Sequence, residues 1–347
     1  MGETRFGPSV LAIDAPAEAC RIARAVETQV LARLRRRGLV VGVSGGVDSA
    51  VVVALAALAI GGARVLALLL PERDSSPESL SLGRLMAARL GLSAEVVDLG
   101  AILEASGCYA EQTAAIRTVF PEYGDGWRSK VVLPPLGGDG ERLNVFSLVV
   151  ESPSGEVRRS RLPVDAFRRL VAATNMKQRT RKAIEYFHAD RLGFAVAGTP
   201  NRLEYDQGFF VKNGDGAADV KPIAHLYKTQ VYALAEHLDV PLAIRSRPPT
   251  TDTYSLAQTQ DEFYFALPYP AMDLCLWGKN HGTDPGEVGA ALGMSREAIV
   301  AVYRDIDRKR RATRYLHERP LLVEPVVEID RELAVGLGLG LDLTGRP

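Results

Sequence analysis

Cysteine is scarce in this chain. Cys20, Cys108 and Cys275 are the only three, they lie far apart, and none belongs to a C-x-x-C pair. That pattern excludes a disulfide framework, argues against a zinc or iron–sulfur site, and fits a reducing cytoplasm. An excess of one charge is missing too. The 42 basic and 42 acidic residues cancel to a formal net charge of zero, so the basic surplus of a protein that coats nucleic acid is absent. The longest apolar run, Ala50 to Ile60, falls well short of the about 20 residues needed to span a bilayer. The N-terminal "MGETRFGPSVLAIDAP" has no basic region leading into an apolar one, so it does not read as a secretory signal. Gly2 also lacks the nearby Ser or Thr that myristoylation prefers. These absences describe a cytoplasmic protein with no membrane and no nucleic-acid partner. There is no internal repeat or low-complexity tract.

Strand and helix signals alternate through the first hundred residues. A helix is expected from near Pro16 to Arg37, stopped by Gly38, and then a strand over Leu39–Val43 whose β-branched run suits burial on both faces. A loop over Ser44–Ser49 leads into an apolar helix over Ala50–Ile60, ended by Gly61 and Gly62. Arg64–Leu70 reads as a second strand, Ser79–Leu90 as a helix and Ala94–Leu99 as a third strand. Such alternation predicts parallel pairing with right-handed crossovers, a doubly wound, mostly parallel α/β sheet.

Residues 107–162 break the pattern. "FPEYGDGWRSKVVLPPLGGDGE" reads as irregular, and "LNVFSLVVESPSGEVRRSRL" as a β-hairpin turning at Pro153–Gly155. We expect an insertion on the surface of a single domain spanning 1–330, followed by a tail over 331–347 that includes "GLGLGLDLTG". Asn175–Leu192 returns to helical spacing, Phe194–Gly198 to a buried strand, and Tyr227–Leu238 to an amphipathic helix. The C-terminal part is helical. Its "GEVGAALGMSREAIVAVYRDI" superficially resembles a helix-turn-helix, but with neutral charge it reads as two packed helices closing the domain.

The loop "SGGVDS" carries the chemistry. After a buried strand, Ser44-Gly45-Gly46 can turn with its N–H groups facing inward, because glycine tolerates positive φ. The helix that follows adds the partial positive charge of its N-terminus, so an anion fits there. Ser44 and Ser49 can donate hydroxyl hydrogen bonds to phosphate. Asp48 would repel phosphates unless a cation sits between, so it implies Mg²⁺. The loop lacks both the Gly-Lys-Ser/Thr ending of a Walker motif and the glycine spacing of a dinucleotide fold.

In this context "SGGVDS" resembles the pyrophosphate loop of the ATP pyrophosphatase superfamily, with its adenine nucleotide α-hydrolase-like fold. The resemblance implies ATP cleavage between the α and β phosphates, adenylylation of a substrate oxygen, and displacement of AMP by a nucleophile. Three later blocks are similar to NAD synthetases: "NMKQRTRKAIEYFHAD" from Asn175, "AGTPNRLEYDQGFFVKNGDGAADVKPIAHLYKTQVYALAEHLDVP" from Ala197, and "PPTTDTYSLAQTQDE" from Pro248.

That similarity implies an ammonia-dependent enzyme that amidates deamido-NAD with Mg·ATP through an acyl-adenylate, releasing AMP and pyrophosphate. It assigns Ser44, Gly45, Gly46, Asp48, Ser49, Thr199, Lys228 and Lys309 to ATP, and Asp48 and Glu204 to the metal. It assigns Arg179, Arg181, Tyr186 and Asp219 to the dinucleotide, and places Asp215 near the attacking ammonia. Asp48, Lys228 and Asp215 are the expected catalytic residues. The physical reading agrees in part. Glu204 follows a strand's carboxyl end, where α/β sheets place ligands. Lys228 can neutralise charge on a leaving pyrophosphate, a carboxylate such as Asp215 can take a proton from ammonium, and Arg179 and Arg181 diverge on a helix.

The match frays in three places. Glu72, Asp74 and Glu78 stand where the family carries an acidic cluster, but differently placed, and carry no role over. The 107–162 region is long for the ammonia-dependent type. In "DRKRRAT", Lys309 and Arg310 match a basic pair, with Arg308 in place of the family's histidine. No glutaminase signature is present, so ammonia is used free or delivered by a separate glutaminase partner. A homodimer is the family expectation. The alternative left open is a related amide synthase adenylating another carboxylic acid.

Overall fold

The computed structural model describes residues 6–132, 146–249, 254–256, 264–265 and 267–329; the expected tail over 331–347 and part of the Pro248–Glu262 block lie outside them. Helix α1 (Ala15–Glu27) starts where Asp14 accepts the Ala17 N–H and continues as a π-helical segment, Thr28–Arg33. Arg35, at φ 52°, turns the chain out of it, so Gly38 is not the terminator the sequence suggested. Gly38 is needed for space: a Cβ there would meet Arg64 O at 2.4 Å and the Phe194 ring.

The chain then builds β1 (Leu39–Gly42), α2 (Val47–Ile60), β2 (Val65–Leu69), α3 (Pro77–Arg89) and β3 (Ser93–Val96). Gly61, at φ 80°, ends α2, and the Ser76 hydroxyl caps α3 by accepting the Glu78 N–H. Two short helices follow, α4 (Gly100–Ala105) and α5 (Cys108–Arg117), then strands β4 (Arg128–Val132), β5 (Ser147–Glu151) and β6 (Val157–Arg161). Helix α6 (Val164–Leu192) leads into β7 (Ala195–Ala197), α7 (Arg202–Gln207), α8 (Lys228–His237) and α9 (Leu242–Arg245). The C-terminal part is α10 (Tyr269–Asn280), α11 (Pro285–Leu292) and α12 (Arg296–His317).

The main sheet is parallel in the order β3-β2-β1-β7, with Leu39 opposite both Val65 and Ala195. Alternation along β1 covers both faces. Leu39 and Val41 pack with α1, α2 and α8, whereas Val40 joins Leu66, Leu68, Val196 and Ala189 of α6 on the other side. Each such side chain, fully buried, contributes about 1.5–3 kcal/mol. Because β2 and β7 flank β1, the strand order reverses at the carboxyl end of β1. That is the crevice where open α/β sheets bind ligands.

The described part of the inserted region holds more regular structure than its composition indicated. The hairpin β5–β6 forms as expected, but β4 pairs antiparallel with β5 to make a three-stranded sheet. The stretch read as irregular therefore contains a strand, and α5 precedes it. Helix α6 also begins well before the expected Asn175. Strand β4 is short, Gly and Pro surround it, and its partner is distant in sequence, so nothing local announces it. Val131, Leu148 and Val150 pack with Ile116 of α5 and Ala166 and Leu170 of α6 as a separate core. At the other end, Val288, Ile299, Val302 and Ile306 of α11 and α12 are buried with Met272 and Leu276 of α10. The helix-turn-helix-like stretch is two helices packed on α10. Among the described residues no helix is long and apolar enough to cross a membrane.

Candidate active site

The loop at the end of β1 depends on its glycine. Gly45 sits at φ +76°, and a Cβ on it would lie 2.6 Å from the backbone oxygen of Ser79. Gly46 begins α2 with no side-chain cap, leaving first-turn N–H groups for an anion. Within the loop, the Ser44 and Ser49 hydroxyls lie 3.2 Å apart, and Ser49 Oγ donates to Gly46 O at 3.0 Å. Ser49 Oγ also accepts the Ser44 N–H at 3.2 Å. Rotating these hydroxyls would turn them from the loop to a phosphate.

Asp48, on the first turn of α2, meets two groups from other elements. Its Oδ1 accepts from Asn201 Nδ2 at 3.2 Å, and its Oδ2 pairs with the Lys228 ammonium. Lys228 is the first residue of α8 and has no solvent exposure. Burial pulls the Lys228 pKa down, but the charges of Asp48 and Glu204 outweigh it and leave the group above its ordinary value. Asn201 also starts α7 through a capping box: its Oδ1 accepts the Leu203 and Glu204 N–H groups, and Glu204 Oε2 accepts the Asn201 N–H at 3.0 Å. Glu204 is thereby fixed beside Asp48. Burial, and then the neighbouring Asp48 charge, push its pKa well above the ordinary carboxylate range.

Lys228 is aimed by a residue that no local pattern marks. Asp273, fully buried on α10, accepts the Lys228 N–H on Oδ1 at 3.2 Å and the Thr229 N–H on Oδ2 at 2.7 Å. Helix α8 is capped from another helix, and the cost shows in the Asp273 carboxyl, which burial pushes up to about 6. Asn201 could have been found, since N-x-x-E ahead of an apolar residue is a capping-box pattern.

A cavity of about 440 Å³ opens at this point. Ser44, Gly46, Asp48, Ser49, Thr199, Glu204 and Lys228 are among the residues that line it. Arg181 and Asp215 also line it. Arg181 donates to Leu70 O at 3.4 Å and Ser75 Oγ at 3.3 Å. Asp215 accepts the Val211 N–H at 2.7 Å, and burial raises its pKa. The other expected residues lie elsewhere. Arg179 is exposed and donates to Lys212 O at 3.3 Å. Tyr186 and Asp219 pair with each other at 3.4 Å outside the cavity, with Asp219 Oδ2 accepting the Val196 N–H. Lys309 is 2.8 Å from Asp305 and donates to the backbone oxygen of Tyr264, whose residue lines the cavity. Arg308 also pairs with Asp305, while Arg310 grips Asp206 through two bonds of 2.6 and 2.7 Å.

Glu72 and Asp74 lie in a buried network. Lys177 Nζ donates to both, at 3.1 and 2.5 Å, Tyr109 donates to Glu72, and Gln112 donates to Asp74. They tie the loop after β2 to α5 and α6. Glu78 lies 3.6 Å from Arg247.

The carboxylates suit a divalent cation that arrives with its own ligands. No group of three or more His, Cys, Asp or Glu that could hold a metal occurs among the described residues. Asp48 and Glu204 are two neighbouring carboxylates of the cavity lining, and Lys228 interacts with the charge of both. Oxygen ligands beyond these two would come from phosphate and water.

Comparison with known proteins identifies the family. The family model for NAD synthase matches residues 20–119 and 151–315. An NH3-dependent NAD+ synthetase of Rhizobium meliloti strain 1021 is 60% identical over 326 residues, covering 94% of this chain and 97% of the relative. Among solved structures, the NMN synthetase of Francisella tularensis superposes with a TM-score of 0.62 at 19% identity, over 90% of this chain and 100% of its own. The NH3-dependent NAD synthetase of Campylobacter jejuni, solved with nitrate, superposes with a TM-score of 0.58 at 19% identity and the same coverage.

Proposed function

The chain belongs to the NAD synthase family, and from that premise we propose that it amidates deamido-NAD with ammonia, converting ATP to AMP and pyrophosphate. The observation that carries this reading is the ion pair of Asp48 with the buried Lys228 at the Ser44–Ser49 loop, with Glu204 beside them in the same cavity lining. In the first step a nicotinate carboxylate oxygen attacks the α-phosphorus, the bond to the β-phosphate bridging oxygen breaks, and pyrophosphate leaves. Lys228 and the first-turn N–H groups of α2 meet the charge that develops on that leaving group. In the second step ammonia attacks the acyl carbon, AMP leaves, and a proton is lost from nitrogen. Asp215, on the cavity wall, is the carboxylate proposed to receive it.

Asp48 and Glu204 would hold Mg²⁺, which when bound neutralises phosphate charge; their paired placement supports that role. No side-chain nucleophile is required, so rate comes from positioning and charge neutralisation. Thr199 and Arg181 are further contacts from the cavity wall. Tyr186 and Asp219, paired on a more open face, are proposed as dinucleotide contacts completed in a homodimer. A cytoplasmic location suits these substrates.

The test is AMP formation that requires ATP, deamido-NAD and ammonium together. Amide formation only with some other carboxylic acid would overturn the substrate assignment. Activity with glutamine that appears only on adding a glutaminase would identify the ammonia source as a partner. Asp48→Ala should abolish pyrophosphate release.

A further inference from the structure

One face of α6 looks into the cavity. Thr174, Gln178, Arg181, Lys182 and Glu185 line it, a spacing of three and four residues that repeats with the helical turn. The pattern explains why Arg181 reaches the cavity while Arg179 stays outside. It also brings in two charged residues that have no part in the two proposed steps. Lys182 is 5% exposed and Glu185 6%. Lys182 Nζ donates to Glu185 Oε2 at 2.5 Å. Glu185 is in turn seated on β1, since a Cβ on Gly42 would lie 2.6 Å from its Oε1. A buried ion pair adds little net stability over apolar side chains of the same volume, so stability does not account for this one.

Among the described residues, Arg181, Lys182, Lys228 and Arg247 are the basic side chains that line the cavity. Three of them are engaged with other elements. Lys228 holds Asp48, Arg181 donates to Leu70 O and Ser75 Oγ, and Arg247 donates to Ser79 Oγ of α3 at 3.0 Å. Lys182 has one hydrogen-bond partner among the described residues, in its own helix, whereas an ammonium has three donors. Its place bears on the second step. Burial raises the Asp215 pKa and the Lys182 charge is one of the influences that draw it back down, so the two groups act on one region of the cavity. Lys221, whose charge also interacts with Asp215, is not in the lining; its ammonium lies 4.8 Å from the centre of the Tyr205 ring. A nitrogen that gives its proton to Asp215 is one bond from the acyl carbon, and the acyl oxygen is one bond further.

We propose that Lys182 is a further catalytic residue of amide formation: its ammonium, moored by Glu185, donates to the acyl oxygen as ammonia adds to the acyl carbon. The inference rests on the amidation reading and on Asp215 as the proton acceptor. As the N–C bond forms, the carbonyl π pair moves onto oxygen, where the Lys182 charge meets it. That pair then returns, the carbon–oxygen bond to the phosphate breaks, AMP leaves, and the surplus proton on nitrogen passes to Asp215. Adenylylation develops no such charge, because there the carboxylate oxygen gives up charge as it attacks phosphorus. Lys182 therefore acts on one step of the two.

The experiment separates the two steps in the full-length protein. Exchange of labelled pyrophosphate into ATP, with deamido-NAD present and ammonium absent, reads adenylylation; NAD formation at saturating ammonium reads amidation. Lys182→Met removes the donor but leaves Glu185 unpaired. Lys182→Met/Glu185→Met, which removes both charges, is therefore measured beside it, with Lys182→Arg as the variant that keeps a donor. The expected result is NAD formation slower by on the order of 10²–10³-fold in both Met variants, exchange that persists in them, and recovery of most of the loss in Lys182→Arg. Wild-type NAD formation in the double variant, equal slowing of both steps, loss of exchange alone, or an Arg variant as slow as the Met variants overturns this proposal and leaves the amidation reading standing. A wild type that forms no amide from deamido-NAD overturns that reading, and this proposal with it.

Discussion

Asp273 offers a test of whether Lys228 is aimed by its helix rather than by its own reach. The Asp273→Ala variant leaves the Lys228 and Thr229 N–H groups buried at the start of α8 without their acceptor. Each orphaned donor costs about 1–3 kcal/mol. Against this stands the carboxyl's own burial: its pKa of about 6 lies roughly two units above the unfolded value of about 3.9, a cost of about 3 kcal/mol at neutral pH. The two effects oppose, so the net loss of stability is small, about 0–3 kcal/mol. Activity has no such compensation. An ammonium displaced by about 1 Å from a leaving pyrophosphate costs on the order of 10²-fold in kcat.

The sign of the pH dependence follows from the direction of the shift. A carboxyl whose folded pKa is raised contributes stability fully present below the unfolded pKa and lost as pH rises through the folded one. Wild type should therefore lose up to about 3 kcal/mol relative to Asp273→Asn as pH rises from about 4 to about 6, and no more above that. Urea unfolding at steps across this window measures it, and AMP release measures kcat. A flat difference curve, or an Asp273→Ala enzyme with wild-type kcat, refutes the reasoning.

Two other substitutions separate architecture from chemistry. Gly45→Ala places a Cβ 2.6 Å from Ser79 O at a φ of +76°, so it should cost about 1–3 kcal/mol and raise the KM for ATP; a variant with wild-type melting and KM would show that the loop can relax. Lys177→Met strips the buried carboxylates of Glu72 and Asp74 of their shared cation. It should destabilise by about 3–5 kcal/mol, lowering the melting temperature by roughly 6 °C or more, yet leave the KM for ATP unchanged because Lys177 does not line the cavity. A melt like that of wild type would mean the network carries little energy.

What could be read from the sequence was what short-range chemistry decides. Strand β1, its glycine turn and the helix α2 are contiguous, and each local preference agrees with the others. The alternation foretold parallel pairing, whereas the order β3-β2-β1-β7, which places Asp48 at the switch point, is seen only in the structure. Lys228 and Glu204 were legible only through a block that resembles a known family, because each comes from a separate element. The end of α1 was misread for a related reason: Gly38 looked like a helix stop, but its missing side chain answers to Arg64 and Phe194, residues its own neighbourhood does not reveal.

The long-range polar contacts are where sequence reading stops and where the site acquires its geometry. Asp273 acts on a helix that begins 45 residues earlier. Ser129 holds Ser255 across 126 residues, and Asn201 reaches Asp48 across 153. None of these four residues has a spacing signature directed at its partner, because folding alone brings them together. Each nevertheless fixes something a ligand would meet: Asp273 the base of Lys228, Asn201 the carboxylates of Asp48 and Glu204, Ser129 and Ser255 the wall that carries Tyr254. A hydrogen bond adds only about 0.5–1.5 kcal/mol to stability, whereas a misplacement of about 1 Å at the chemistry can cost 10²-fold in rate. Substitutions at these supporting positions should therefore reveal themselves in kcat and KM before they reveal themselves in a melt.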